Sequence, residues 1–551
     1  MTERIIIMTL LLLFSTSCEW NQFADKIYYN GNIWTGNKNR PSAEFIAVKG
    51  ETILGVGSNY KTFRGPETEL IDLEGQFVVP GFIDNHTHFI EGGFQLMRLD
   101  LRAVDSKEEF ISRIKKYVQD IPKGQWILGG KWDHEMWGGL LPTKDWIDSF
   151  TQDIPVFLSR LDGHMALANS KALELTKITK DTPDPPGGLI ERDESGEPTG
   201  ILRDEAIELI RDVIPDKTFE EMDAALNKSM GYAASLGLTQ IHDMCSWDDF
   251  EVYVRNKDQL SLRIYAIPWY THYKELIDYK NQHGIGDDWL RWHGIKAMLD
   301  GSLGSRTAWM HESYKDDPNT TGLVVSEDTL TLRHILRKAD EAGLQMAVHA
   351  IGTRANEWVL DEFEAIEKEH GKRDRRSRIE HSQHLMPKDI NRFSKNGITA
   401  SMQPPHLYDD GSWAHKRVRD NVLKGTYVFR TLLESGANVT FGSDWPVASL
   451  DPLMGIYTAV TRHTRDGKNP DGWYPDEKIS VEDAIRCYTI NSAYAGFQEE
   501  KLGTIEAGKL ADFVVLSKNI TAIEPEEILN TKVVRTVVGG KDVFVKKEKN
   551  E

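Results

Sequence analysis

The sequence predicts an α/β fold: a (β/α)8 TIM-like barrel with a small β-sandwich built from both termini and a large insertion after barrel strand 1. Three observations support this prediction. Short apolar segments alternate with helical patterns through the middle of the chain, β-rich segments occur at both ends, and a long stretch separates the first two predicted barrel strands. Such alternation is typical of parallel strands joined by crossover helices.

The middle of the chain supplies the predicted barrel. Helical patterns such as 330–343 and 427–437 lie between most of its apolar segments. Eight parallel strands with intervening helices are expected to close into a barrel, and 551 residues leave room for additions to a barrel of about 250. The predicted strands are 78–86, 238–243, 262–267, 293–300, 345–350, 377–382, 398–403 and 438–443.

The two ends of the chain resemble each other in composition. Residues 26–77 and 503–547 contain runs of Val, Ile, Phe and Tyr between glycine-rich turns, which predicts short strands. We expect one composite β-sandwich from these two segments and a barrel domain at 78–502 between them. Within that domain, residues 90–235 are too many for a βα loop and are expected to form an inserted subdomain.

The first 17 residues have the pattern of an export signal. Arg4 precedes the apolar run 5–14, which is shorter than the ~20 residues that span a bilayer, and small residues then lead to Cys18. The segment 15–18 resembles the lipobox of bacterial lipoproteins, in which the cysteine is lipidated, although Ser15 stands where leucine is usual. We therefore expect an exported bacterial lipoprotein, membrane-anchored in the cell envelope (periplasm or outer surface). A cleaved soluble protein and an uncleaved anchor are the alternatives.

Composition limits the partners. The formal net charge of −19 argues against a nucleic-acid partner, which would call for basic patches. Hydrophobic content of 40% and charged content of 27% are typical of a globular protein. Cys245 and Cys487 are expected to be buried free thiols, since nothing in the sequence requires a disulfide.

Six residues have the side chains of metal ligands and lie at or within predicted strands. In GFIDNHTHF (81–89), His86 and His88 are two apart at the end of an apolar strand, so they share one face, which at the C-terminal mouth of a barrel points into the site. Neutral imidazoles are good zinc ligands. A single such histidine is often a core residue, but a full set on one predicted rim is difficult to explain by packing. The others are Lys296, His349, His381 and Asp444.

Several phrases around these residues, among them VPGFIDNHTH, GIKAMLDGSLGSRTA, RIEHSQ and FGSDWPV, resemble the amidohydrolase superfamily. The resemblance is to the amidohydrolase-3 branch, which includes enzymes similar to N-substituted formamide deformylase, and it covers nearly all of the chain after the leader. It implies that His86, His88 and Asp444 bind a first divalent metal, that His349 and His381 bind a second, and that a carboxylated Lys296 bridges both. Zinc is the ion that histidines favour, while iron, manganese and nickel also fit. Thr353 departs from the family pattern, where an acidic residue is usual.

The resemblance implies a metal-dependent hydrolase that cleaves a non-peptide C–N bond, amide- or formamide-like, in a small molecule. Metal-bound hydroxide would attack, because a metal lowers the pKa of water from 15.7 to about 7. Asp444 would act as general base and then as general acid. A deaminase or a cyclic amidohydrolase with one metal is the alternative; a non-catalytic ligand-binding lipoprotein and a peptidase are less favoured. A homodimer is the common default for such enzymes.

Seven further residues are candidates for substrate binding. Each has a structural alternative, since histidines occur in turns, acidic and basic side chains form ion pairs, and tryptophans fill cores. His242, at the end of the second predicted strand, is instead expected to have a packing role. The candidates are His164, Asp162, Asp300, Arg306, His406, Trp132 and Trp445.

Overall fold

The computed structural model of the protein describes residues 23–160, 164–324 and 329–547. The predicted signal segment 1–17, the predicted lipidation site Cys18 and the substrate-binding candidate Asp162 lie outside the described residues. Within the described ranges, no helix has the length and apolar character needed to cross a membrane. Cys245 and Cys487 are buried and free, which confirms the expectation for these thiols.

The secondary structure is mixed α/β throughout the described ranges. The strands are β1 (Lys26–Tyr29), β2 (Asn32–Trp34), β3 (Ser42–Ala43), β4 (Phe45–Lys49), β5 (Thr52–Gly57), β6 (Glu69–Asp72), β7 (Phe77–Pro80), β8 (Phe82–Thr87), β9 (Leu99–Asp100), β10 (Ile127–Trp132), β11 (Val156–Arg160), β12 (Met165–Ala168), β13 (Gly188–Arg192), β14 (Pro198–Asp204), β15 (Leu238–Asp243), β16 (Arg263–Ala266), β17 (Leu290–Arg291), β18 (Gly294–Met298), β19 (Gln345–Ala350), β20 (Arg378–His381), β21 (Thr399–Met402), β22 (Asn438–Phe441), β23 (Phe513–Leu516), β24 (Val533–Val538) and β25 (Lys541–Val545). The α-helices are α1 (Phe89–Met97), α2 (Lys107–Val118), α3 (Ser170–Leu175), α4 (Glu208–Arg211), α5 (Phe219–Ser235), α6 (Trp247–Arg255), α7 (Tyr273–His283), α8 (Thr329–Glu341), α9 (Thr353–His370), α10 (Pro387–Lys395), α11 (Pro404–Asp410), α12 (Asp420–Leu423), α13 (Phe429–Glu434), α14 (Pro452–Thr461), α15 (Val481–Cys487) and α16 (Ile490–Ala495).

Two parallel sheets form the centre of the molecule. One has the order β17-β16-β15-β8 and the other the order β18-β19-β20-β21-β22. Their edges meet through single parallel bridges, Thr87 with Trp445 and Trp269 with Lys296, so one continuous closed sheet is not detected among the described residues. The strands are buried on both faces because helices cover them, as expected for parallel sheets. The arrangement is a TIM-barrel-like α/β fold.

The strands at the two ends of the chain share a sheet. Its order is β25-β24-β23-β7-β2-β3, and β23 pairs antiparallel with β7, Val514 opposite Val79. A second sheet, β5-β4-β1-β6, packs against it through apolar residues that include Tyr28, Ile46 and Phe513. Segments far apart in sequence therefore build one core.

The first predicted barrel strand is in fact two strands. Residues 78–80 lie in β7 and pair with β2 and β23, whereas the central sheet begins at Phe82 in β8. The break falls at Gly81, where a Cβ atom would lie 2.2 Å from the Thr239 hydroxyl oxygen. Only glycine allows this close approach of the neighbouring strand.

The stretch between β8 and β15 builds a sheet of its own with the order β13-β14-β12-β11-β10-β9. Its core contains Leu101, Phe110, Val156 and Trp132. Helix α5 then returns the chain to the centre; Thr218 caps it by accepting a hydrogen bond from Glu221 N–H in a reciprocal capping box. This sheet faces α1 and the loop after β22 across a cleft.

Candidate metal centre

All six predicted ligands converge at the C-terminal ends of the central strands. The ring centroid of His381 lies 5.0 Å from that of His86 and 4.3 Å from that of His349. Lys296 Nζ lies 3.2 Å from His86 Nε2. The remaining two residues are also close together, with His88 Nε2 3.3 Å from Asp444 Oδ1. Residues up to 358 positions apart thus form one cluster, since His86 Nε2 and Asp444 Oδ1 are 3.5 Å apart.

Hydrogen bonds fix which nitrogen of each histidine is available. His86 Nδ1 donates to Glu380 Oε2 at 2.6 Å, and His88 Nδ1 donates to the Met244 carbonyl at 3.0 Å. His86 therefore keeps a lone pair on Nε2, which faces Lys296 Nζ. His88 Nε2 donates to Asp444, and although burial opposes it, this contact raises the pKa of His88, so Nε2 becomes a free donor atom only when that proton is lost. His349 has the opposite arrangement, because its Nε2 donates to the Gly301 carbonyl at 3.2 Å.

Two sets of donor atoms in the described residues are close enough to hold a metal ion, and Asp444 belongs to both. One set is His86, His88 and Asp444; the other is His381, His406 and Asp444. Asp444 Oδ2 lies 3.1 Å from His406 Nε2. His406, predicted only as a substrate contact, therefore lies among the ligand-type residues.

Burial and charge set the protonation of this cluster. Burial, with the neighbouring Lys296 charge, lowers the pKa of His86 to about 4 and that of His349 to about 3. Although burial opposes it, hydrogen bonds from His406 and His88 hold the pKa of Asp444 well below its usual range. Burial lowers the pKa of Lys296 to about 8. Neutral imidazoles and an ionised carboxylate are the forms that bind divalent metals.

The backbone at two of these residues is unusual for side chains other than glycine. His381 has φ +73° and Asp444 has φ +58°. Such conformations cost about 1–3 kcal/mol each and occur preferentially at functional sites. At the base of the site, Gly442 permits close packing, since a Cβ there would lie 2.6 Å from the His86 backbone nitrogen.

A buried carboxylate that the sequence did not single out supports the centre from behind. Glu380 accepts from His86 through Oε2 and from Arg378 Nε through Oε1 at 2.7 Å. Arg378 also donates to His242 Nδ1 at 2.9 Å, which agrees with the packing role predicted for His242. The signal was present in RIEH, because period 2 places Arg378 and Glu380 on one strand face.

The other substrate-binding candidates have mixed positions. Trp445 follows Asp444 and packs on Phe89, with ring centroids 5.9 Å apart. Asp300 is fully buried and accepts from the backbone N–H groups of Trp309, Ile351 and Gly352, with Oδ1 3.6 Å from His349 Nε2.

Three candidates have other partners instead of the cluster. Trp132 is fully buried in the core of the inserted sheet, where its indole N–H donates to the Leu158 carbonyl, so the substrate-binding role predicted for it has no support here. Arg306 pairs with Asp316 in an exposed loop, and His164 lies 2.8 Å from Asp204 on the surface. The structure does not bring these residues to the centre.

The fold and the donor set together define the class of metal-dependent hydrolases. A family model described as the amidohydrolase family matches residues 69–544, and the chain belongs to that family. It is therefore a hydrolytic enzyme of a family whose members act on C–N bonds.

Three similar proteins illustrate the range of the family. N-substituted formamide deformylase of Arthrobacter pascens is 28% identical over 94% of this chain and 98% of its own length. The protein LONG AFTER FAR-RED 3 of Arabidopsis thaliana is 42% identical over 95% of this chain and 92% of its own. A solved structure of an uncharacterized metal-dependent hydrolase from Pyrococcus furiosus is 31% identical, covers 90% of this chain and 99% of its own, and superposes with a TM-score of 0.74.

Proposed function

We propose that the protein hydrolyses a non-peptide C–N bond, amide- or formamide-like, in a small molecule, with Asp444 as general base and general acid. The observation that carries this proposal is the position of the Asp444 carboxylate. One oxygen lies 3.3 Å from His88 Nε2 and the other 3.1 Å from His406 Nε2, so the carboxylate joins both donor sets. A general base needs such a place, within hydrogen-bond reach of a reacting water.

The donor chemistry fits one or two divalent ions, and we propose zinc. His86, His88 and Asp444 would hold one ion; His381 would hold the other with His406 or His349, and a carboxylated Lys296 would bridge the ions. The fit rests on the Nε2 atoms of His86 and His88, which remain available because Nδ1 of each ring is bonded to Glu380 or Met244, and on the neutral imidazole of His86, whose pKa burial lowers to about 4. When bound, the metal lowers the pKa of water from 15.7 to about 7 and polarises the substrate carbonyl.

The protein's own residues then transfer one proton from the attacking water to the leaving group. Asp444 takes it from the attacking water and delivers it to the leaving nitrogen, which would otherwise depart as a poor anionic leaving group. If His349 is the partner of His381 at the metal, His406 is left to hydrogen-bond Asp444 Oδ2 through Nε2 and to orient the carboxylate. Positioned proton transfer of this kind contributes about 10²–10⁴-fold in rate.

A mononuclear deaminase or cyclic amidohydrolase is the second candidate. The position of His349 favours a single metal ion. Nε2 of His349 donates to the Gly301 carbonyl, and His349 belongs to neither of the two donor sets. Metal stoichiometry separates the two candidates.

The test is metal content per chain together with hydrolysis of N-formyl and N-acyl amines. We expect about two transition-metal ions in the wild type and loss of metal in Lys296→Ala; in Asp444→Asn, turnover should fall at least 10²-fold, more than the metal content falls. Lys280→Ala, a partly buried lysine on α7, is the matched control and should keep both properties. About one ion, unchanged in Lys296→Ala, would favour the mononuclear candidate, and no metal would refute the proposal.

For location and assembly we propose an exported enzyme anchored through lipidated Cys18, with a homodimer as its assembly. The support is the leader pattern in the sequence. A Cys18→Ser variant should move from the membrane to the soluble fraction. Sedimentation of the enzyme released from its anchor reports the assembly.

A further inference from the structure

A cavity of about 660 Å³ lies between the inserted sheet and helix α1, within the size range of small-molecule sites. Its wall is formed by α1, the loop after β22, and strands β9 to β11. Four basic and two acidic side chains border it, in a chain whose net charge is −19. The basic ones are Arg98, Arg102, Lys131 and Arg211.

The four basic groups differ in their partners. Arg98 pairs with Glu91 and Arg102 with Asp100, both at 2.8 Å, and Arg211 pairs with Glu208 at 2.6 Å. By contrast, no carboxylate of the described residues lies within 4.0 Å of the Lys131 ammonium. Lys131 is exposed and brings to the cavity wall a positive charge that is not paired with a carboxylate of the described residues.

The backbone at Lys131 is bent in a way that separates its side chain from the core. Lys131 has φ +61° and follows Gly129 and Gly130, which also have positive φ. The pairing of β10 with β11 skips Lys131, with Gly130 opposite Ser159 and Trp132 opposite Arg160. Such a bulge redirects one side chain. Here Trp132 enters the core while Lys131 borders the cavity.

Two chain segments that carry residues of the candidate metal centre also border this cavity. Helix α1 begins after His88, and Glu91 and Gln95 on it line the cavity, about 5–10 Å along the helix axis at 1.5 Å per residue. Pro446 and Val447 also line it, two and three residues after Asp444. These two adjacencies are the basis for placing the far end of a substrate in the cavity while its scissile bond lies at the centre.

From these contacts we infer that Lys131 binds an acidic group of the substrate, so that the enzyme acts on N-acyl amines carrying a terminal carboxylate. The inference rests on the proposed function and specifies its substrate class. Leu128, Phe157 and Ile214 line the same cavity and provide apolar contact for the methylene chain between the amide and the acid. Lys131 is a binding residue and takes no part in the proton transfers.

The test compares ω-formamido carboxylates of two to eight carbons with neutral formamides of the same length, using the metal-loaded enzyme. Lys131→Gln keeps a polar side chain, one atom shorter than lysine, and removes its charge. We expect the KM for the acidic substrates to rise about 10- to 100-fold, as for loss of a charge-assisted hydrogen bond, with kcat and the neutral substrates unchanged. Lys115→Gln, on exposed helix α2 of the same inserted region, is the matched control.

Binding provides a second measurement that is independent of turnover. In the Asp444→Asn background, calorimetry should detect the ω-formamido carboxylates, with affinity lost in the double variant with Lys131→Gln and retained with Lys115→Gln. If acidic and neutral formamides are hydrolysed equally well and Lys131→Gln affects neither, the inference fails and the proposed function stands. If neither class is hydrolysed, the proposed function fails, and absence of Lys131-dependent binding would refute the inference separately.

Discussion

Replacing Glu380 by glutamine should weaken metal binding without removing any ligand. Glu380 is fully buried, and each of its oxygens accepts a bond from a donor: Oε2 from His86 Nδ1 at 2.6 Å and Oε1 from Arg378 Nε at 2.7 Å. Although burial opposes it, Arg378 and His86 hold the pKa of Glu380 well below its usual range, so the carboxylate is ionised. A glutamine amide has one oxygen that accepts and one nitrogen that donates. Its nitrogen would therefore face a donor, either His86 Nδ1 or Arg378 Nε, and that hydrogen bond would be lost.

The magnitude follows from what this contact does for His86. The hydrogen bond fixes the tautomer with the lone pair on Nε2 and increases the basicity of the ring. Loss of such a partner costs about 10–100-fold in metal affinity, or about 1.4–2.7 kcal/mol. Arg378 also loses its buried counter-charge, so the free energy of unfolding should fall by about 3 kcal/mol. Arg378 keeps its bonds to the Asn85 carbonyl and Ser401, which limits the loss.

The assay is competition for zinc with a chromogenic chelator at fixed pH, combined with denaturant unfolding of the metal-free protein. Glu362→Gln is the matched control, because Glu362 is also buried and pairs with two arginines, Arg333 and Arg337, between α8 and α9. It should lower stability and leave zinc affinity unchanged. Zinc affinity of Glu380→Gln within twofold of the control would refute the reasoning.

Three further substitutions test other parts of the structure. Gly442→Ala places a Cβ 2.6 Å from the His86 backbone nitrogen, so it should lower the free energy of unfolding by about 1–3 kcal/mol and reduce the bound metal. Gly231→Ala, where nothing lies within 4 Å of the added Cβ, is the control and should do neither. Equal metal content in the two variants would contradict this prediction. Burial lowers the pKa of His384 from 6.5 to about 3, so its stability contribution is complete above pH 6.5 and is lost as pH falls. Between pH 7.5 and pH 5 the wild type should lose about 2 kcal/mol of unfolding free energy from this residue, and His384→Gln should lack that part of the loss. Denaturant unfolding of both proteins at the two pH values measures it. If the free energy of unfolding falls equally in both proteins, His384 does not have this effect. Lys131→Gly should raise the free energy of unfolding by about 1 kcal/mol, because L-residues are strained at positive φ, and a decrease would show that Lys131 stabilises the fold.

The central fold could be predicted because its strands are continuous apolar runs. Strand β15 and strand β19 begin and end at the predicted residues. The first strand was different, because 78–86 is one apolar run in the sequence and two strands in space. What divides it at Gly81 is the proximity of Thr239, a contact between segments far apart in the chain. Periodicity reports only burial and carries no information about which sheet a strand joins.

The candidate site was predictable where spacing along one strand decides the geometry. His86 lies on β8 and His88 directly follows that strand. Being two residues apart they share one face, and both side chains lie close to Asp444. Trp132 shows the limit: the sequence made it a candidate for substrate binding, but the bulge at Lys131 turns its side chain into the core. A bulge of this kind follows from local backbone conformation and pairing, which alternation cannot reveal.

His381 and Glu380 show why the inner layer of the site needed the structure. On a regular strand these neighbours point to opposite faces, so only one of them could reach the centre. Both do, because β20 ends at His381 and the backbone there has φ +73°. Glu380 stays on the interior face to hold His86, and the turn brings His381 to the same side, 5.0 Å from the His86 ring. Because of the positive φ at His381, two consecutive residues serve the same site. His381 supplies a ligand-type imidazole, and Glu380 supplies the carboxylate that orients His86.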